Sequence, residues 1–306
     1  MRDRRQQLRE LYGFDFPDDF FRFWEFVNRL QPLEPLMALL DFSIQLVGPF
    51  EVLAGRFDRR TPRHSLLLHW RYTLDPPEFF TVLAGADGFH SGYYLDDPAE
   101  SKGFVASYFA YDAFELTADG DTLFEAVRLQ LEDQYQSCEE DPECQVDCEK
   151  TMSDIDRLRQ RLVEYATADR LEKGTAYTDK YRVVRPASAN NLEANTFEGM
   201  GIAVPPGRYR PLSQDNEQLW EHLYETDDPA DVVEEARRAL LEGFPGTALK
   251  LGKDLWAVGG ERHTEYAYEL LDAAYAALGR EVLRKVLRVH RANRELPSVD
   301  ILENEG

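Results

Sequence analysis

Apolar side chains recur at helical spacing soon after the chain begins. Phe20, Phe23, Trp24, Val27 and Leu30 fall on one face, and Pro17 precedes them at a position suited to a first turn. This predicts a helix over 20–30 whose aromatic stripe is core. The rhythm then shortens. Apolar runs at Ile44–Val47, Ser65–Trp70, Phe79–Ala84 and Phe104–Tyr108, punctuated by Asp75-Pro76-Pro77 and Ala86-Asp87-Gly88, predict strands. Their close spacing leaves little room for crossover helices, so the sheet is expected to be mostly antiparallel. Helical spacing returns over Thr122–Tyr135, where Leu123, Val127 and Leu131 share a face, and again over Ser153–Tyr165. Ala187–Asn191 reads as a polar loop, and Gly201–Val204 as a short extended run stopped by Pro205-Pro206. Three further helices are predicted, at Asp227–Glu242, His263–Leu278 and Glu281–Asn293, followed by an acidic tail expected to fray beyond Arg294.

The pattern divides the chain into an α+β fold of two domains. Residues 1–145 hold a mostly antiparallel sheet with packed helices, and residues 146–306 form a helix-rich α+β half. The polar, acidic stretch 138–150 is the expected linker. With 306 residues, 43% hydrophobic composition, 18 Phe and 15 Tyr, there is ample material for packed cores. No apolar run approaches the ~18 residues of a membrane span, and Met1-Arg2-Asp3-Arg4-Arg5 lacks the apolar stretch of a signal peptide. The chain is expected to be soluble and intracellular, cytoplasmic in a prokaryote or nuclear in a eukaryote, and monomeric.

Charge narrows the partners. Acidic residues outnumber basic ones 57 to 35, for a formal net charge of -22. Binding to nucleic acid through phosphate neutralisation needs a basic face, so no direct nucleic-acid contact is expected. The excess of acid serves solubility, and also suits a basic partner such as an Arg/Lys-rich tail. Cys138, Cys144 and Cys148 have the spacing C-x5-C-x3-C with no nearby His, which does not make a zinc site. Free thiols on a solvated segment and no metal are expected.

Signatures of a self-sufficient enzyme are missing. There is no phosphate-binding loop, no strand-linked G-x-G-x-x-G, no G-x-S-x-G elbow and no H-E-x-x-H. Two features remain. In the Asp227–Glu242 segment Val232, Val233, Ala236, Ala239 and Leu240 make one apolar face. Leu241 projects from nearly the opposite side, Glu242 lies off the face, and Gly243 suits a left-handed cap. A carboxylate at the negative end of a helix, beside an outward Leu, is disfavoured in its charged form, which suits a general base. From the residues alone, the ordinary description is a solvated Glu at a fraying helix end. The second feature, Gly207-Arg208-Tyr209-Arg210, places an aromatic between two guanidiniums that can stack on a partner or clamp a phosphate. It is equally an ordinary surface loop.

The aromatic block Leu11–Phe26, together with Leu46–Gly55 and His69–Phe80, resembles the histone PARylation factor family, proteins that complete the active site of a poly(ADP-ribose) polymerase. The resemblance runs from about Leu11 to Arg294 and is strongest before residue 98. Thr196–Pro205 resembles the family's run into a Tyr-Arg pair, which falls on Tyr209 and Arg210. Leu249–Trp256 resembles the family's strand after its catalytic glutamate, and counting back without a gap places that glutamate on Glu242. The resemblance implies an accessory factor that binds a polymerase catalytic domain and lends Glu242 as the base for an acceptor serine. Tyr209 and Arg210 would then belong to the joint interface. NAD would be held by the polymerase, with no cofactor of the chain's own, and basic serine-bearing proteins such as histones would be acceptors. One departure stands out: the family usually has an acid before its glutamate, and here that position is Leu241, which as an exposed Leu can itself anchor an interface.

A rival reading comes from Phe16-Pro17-Asp18-Asp19-Phe20 and Gly92-Tyr93-Tyr94-Leu95-Asp96-Asp97, which are similar to the Smi1/Knr4 superfamily. That kinship implies a protein-binding module of the toxin-immunity type in which Glu242 has no catalytic role. A stand-alone ADP-ribosyl-handling enzyme is the third reading, and the missing nucleotide signatures count against it.

Overall fold

The computed structural model describes residues 2–305 apart from 101, 112–113, 142–146, 166–191 and 226–227. The Ala187–Asn191 loop and Cys144 therefore lie outside the described residues.

The N-terminal half begins with a helix the sequence did not announce, α1 (Arg2–Tyr12), whose surface is mostly charged and which buries Leu8 and Tyr12. The expected aromatic helix follows as α2 (Asp18–Leu30), entered from Pro17, with Phe20, Phe21, Phe23, Phe26 and Val27 buried. A short α3 (Pro49–Leu53) separates β1 (Gln45–Leu46) from β2 (Phe79–Ala84). Next come β3 (Phe89–Asp97), β4 (Lys102–Phe109) and β5 (Thr117–Gly120). The five strands form one sheet in chain order, every neighbour antiparallel, as the spacing predicted. Both faces of its centre are covered. Phe80, Val82, Tyr93, Leu95 and Val105 join the main core, while Phe79, Tyr94, Phe104, Ala106 and Tyr108 join a smaller cluster with Leu116, Ala118 and Met200. This double burial is why β2 reads as a near-continuous apolar run, interrupted only by Thr81.

The run Ser65–Trp70 is not a strand. Leu66–Leu68 form a single 3-10 turn, capped where the Ser65 hydroxyl accepts from the Leu67 amide at 3.3 Å. A short apolar run does not by itself distinguish a strand from a buried turn.

Helices α4 (Leu123–Glu140) and α5 (Cys148–Tyr165) pack together and take up the two ends of the expected linker, 138–140 and 148–150. Cys138 and Cys148 are buried, not solvated as expected, because each sits on the packed face of its helix. Among the described residues, the C-terminal half then adds a two-stranded sheet, β6 (Leu192–Ala194) with β7 (Ile202–Ala203), and five helices. These are α6 (Asn216–Glu225), α7 (Ala230–Leu241), α8 (Pro245–Val258), α9 (Glu261–Leu278) and α10 (Glu281–Arg291). The strand implied for Leu249–Trp256 is instead the body of α8, buried on all sides from Pro245 to Trp256. A helix buried all round carries no one-sided period-3.6 stripe. Its charged members are paired. Lys250 bonds Asp254, and Lys253 lies 2.6 Å from Glu198 and donates to the Gly201 carbonyl at 2.6 Å. Burial pushes the Asp254 carboxyl up to about 6, against the pull of Lys250.

No sheet crosses the expected division near residue 145 among the described residues, while the main core contains residues from both halves. Buried polar bonds also span it. Tyr275 Oη donates to Glu78 at 2.8 Å, Trp256 Nε1 to the Leu74 carbonyl at 2.8 Å, and Lys253 to Tyr94 Oη. The tail does not fray. Ile301 is fully buried, the Val299 carbonyl accepts from the Trp70 amide at 2.7 Å, and Asp300 accepts from Arg56 at 2.7 Å. Arg56 also bonds Glu51, whose carboxylate further takes the Gly48 amide at 2.9 Å, Trp70 Nε1 at 2.8 Å and His69 Nε2. The acidic tail is thus held by a cation and a backbone bond that sequence position alone does not reveal. Among the described residues no helix is long and apolar enough to cross a membrane.

Candidate functional site

The end of α7 has the shape its residues predicted. Val232, Val233, Ala236 and Ala239 face the core, while Leu241 is 88% exposed. Gly243 adopts φ +96°, and two backbone bonds close the helix: Gly243 N to Leu240 O at 3.0 Å, and Phe244 N to Ala239 O at 2.9 Å. This is a Schellman turn, with the left-handed residue supplied by glycine. Glu242 is the capping residue. Its own amide is bound to Arg238 O at 3.0 Å, so backbone bonds fix its position while the side chain stays 55% exposed. The fraying that would make it an ordinary solvated Glu is absent.

The second feature meets it there. The loop after Pro205-Pro206 lies across the start of α8. Gly246 N donates to Arg208 O at 2.9 Å, and Thr247 Oγ1 bonds both the amide and the carbonyl of Arg210. Close approach requires the glycine, since a Cβ at 246 would stand 2.9 Å from Arg208 O and 3.0 Å from Tyr209 Cβ. So anchored, Arg210 forms an ion pair with Glu242 and lies over the Phe244 ring, 4.9 Å from its centroid. The pair, although 32 residues apart in sequence, is one unit. The guanidinium supplies the positive charge that the helix end lacks.

Tyr209 is half-buried against the main core, so it is less exposed than a free surface loop would leave it. Leu241, Glu242 and Arg210 therefore present one surface, with Tyr209 as its footing. Sequence reasoning did not identify Thr247, Gly246 or Phe244 as the parts that hold this surface. The run Gly243-Phe244-Pro245-Gly246-Thr247 is the available signal, a left-handed cap followed by Pro at a helix start.

Chemically, the site offers a carboxylate at a backbone-bonded helix end, paired with one guanidinium and flanked by an uncovered apolar side chain. A carboxylate so placed can accept a proton from a hydroxyl brought against it.

The profile of the Histone PARylation factor 1 family matches residues 3–294. Mouse Histone PARylation factor 1 is 28% identical over 98% of this chain and 89% of its own length. The cattle protein of that name is 29% identical over 98% and 89%, and the zebrafish protein 29% over 98% and 88%. The match covers both halves of the fold and the whole α7–α8 junction, and the chain belongs to the histone PARylation factor 1 family.

Proposed function

We propose that this chain docks onto a poly(ADP-ribose) polymerase catalytic domain through the surface formed by Tyr209, Arg210 and Leu241, and lends Glu242 to a composite active site that directs ADP-ribose to serine. The partner holds NAD. The serine hydroxyl is a weak nucleophile. Glu242 takes its proton as the oxygen bonds to the ribose carbon, and nicotinamide leaves with the electron pair of the broken glycosidic bond. Arg210 orients the carboxylate before docking, and the chain's acidity favours basic serine-bearing acceptors such as histone tails. The observation that carries the reading is the pairing of an exposed Glu242 with Arg210 beside an 88% exposed Leu241.

The test is reconstitution. A polymerase catalytic domain, NAD and a serine-bearing basic peptide are incubated with and without this chain, and linkage is scored by mass spectrometry. Serine-linked ADP-ribose is expected only when the chain is present. Tight association without any serine transfer would instead favour the binding-module reading, and no association at all would refute the docking surface.

A further inference from the structure

A second site lies at the other end of α8. The ion pair of Arg210 and Glu242 stands near the Pro245 end, whereas Trp256 near the opposite end packs against His290 of α10, with ring centroids 5.6 Å apart. Beside His290 is a cavity of about 330 Å3, lined by Arg71, Tyr72, His290, Asn293 and Arg294 among others. That volume is in the range of small-molecule sites.

Its charge is unbalanced. Arg71 is buried, and its guanidinium donates only to backbone carbonyls: Leu67 at 3.1 Å, Pro76 at 2.9 Å, Phe79 at 2.6 Å and Asp75 at 3.5 Å. Arg294 is half-buried over the Trp256 ring, 5.5 Å from its centroid, and its side chain also hydrogen-bonds Tyr268. Among the described residues neither guanidinium forms a salt bridge with a carboxylate. Asp75 and Glu78 are both close enough to influence Arg71, but neither lines the cavity: Asp75 is bonded to His90 at 3.0 Å and Tyr108 at 2.6 Å, and Glu78 accepts from Tyr275 at 2.8 Å. His290 is 3% exposed, and its Nδ1 has no hydrogen-bond partner. Burial, then Arg71 and Arg294, push this imidazole down to about 3 despite Asp75, so it is neutral at physiological pH. Buried cations and buried polar nitrogens are ordinarily compensated. Here two cations and an unpartnered imidazole line one cavity, in a protein whose total charge is -22.

We propose that this cavity binds a small organic anion, a molecule whose phosphate or carboxylate head is held by Arg294 and His290 with the Arg71 charge behind them. Asn293, whose Nδ2 is committed to the Val289 carbonyl at 2.8 Å, leaves an acceptor oxygen for the ligand's body. The site is independent of Glu242.

Calorimetric titration of the full chain with inorganic phosphate, adenosine monophosphate and succinate tests this, with the His290 ring followed by NMR. At least one probe is expected to bind saturably and shift the His290 resonances. Arg294→Gln should weaken it at least about tenfold, and Glu242→Gln should bind as the native chain does. Equal binding of phosphate and the nucleotide would assign recognition to the head alone, tighter nucleotide binding would add the organic body, and a succinate preference would select carboxylates. The proposal is overturned if no probe moves His290, or if Arg294→Gln binds as tightly as the native chain.

Discussion

Leu241 gives a quantitative test of the proposed docking. In the free protein the side chain is 88% exposed and contributes almost nothing to the core, so Leu241→Ala should change folding stability by less than about 0.5 kcal/mol. In the proposed complex the same side chain is covered. Leu→Ala deletes three carbons, and at roughly 0.8 kcal/mol per buried carbon the loss is about 2 kcal/mol, or about 30-fold in Kd. Calorimetric titration against a polymerase catalytic domain, with a thermal melt of each variant, reads both numbers. Leu241→Asp places a charge at the same position and should weaken docking further if the partner surface facing it is apolar. An unchanged Kd for Leu241→Ala, or a large fall in thermal midpoint, would refute the assignment of Leu241 as an uncovered anchor.

Two predictions concern stability. Burial pushes the Asp119 carboxyl up to about 7, opposed by a 3.1 Å bond from Ser107 Oγ. The folded state therefore holds a proton that the unfolded chain releases near pH 4, and this contribution is present at low pH and lost as pH rises toward about 7. Asp119→Asn should flatten that part of the stability curve and stabilise the protein above pH 7 relative to the native chain, as read from urea midpoints across pH. An identical pH profile would contradict it. Removing residues 295–306 should destabilise the fold by at least about 2 kcal/mol, because Ile301 is fully buried and Asp300 pairs with Arg56. An unaltered denaturation midpoint would mean that the tail is not part of the core.

The sequence disclosed the elements whose burial is one-sided or whose ends are punctuated. Phe20, Phe23 and Val27 mark α2, and Val232, Val233, Ala236 and Ala239 mark α7 together with its Gly243 cap. It concealed those that break this pattern. The surface of α1 is nearly all charge around Leu8 and Tyr12, α6 buries only Leu219 and Leu223, and α8 is buried all round. β3 is covered on both faces, so its apolar and polar residues do not alternate. At the site, Leu241 and Glu242 were legible from helical phase. The partnership of Glu242 with Arg210 was not, because it depends on a loop pinned by Thr247 and on a close approach at Gly246, contacts made through folding and not through local spacing.

The central claim is that Glu242 is the base for serine. Glu242→Gln keeps the size and the capping position while removing the proton acceptor, so it tests that claim most directly. The side chain is 55% exposed and its pair with Arg210 is a surface pair, so thermal stability should change by no more than about 1 kcal/mol. With a polymerase catalytic domain and NAD, single-turnover transfer to a serine peptide should fall about 10²–10⁴-fold, as expected when a general base is lost. Modification of carboxylate acceptors by the polymerase should persist, since an ionised acceptor has no proton to lose. Serine transfer at near the native rate by Glu242→Gln would contradict the account and leave this chain as a binding module.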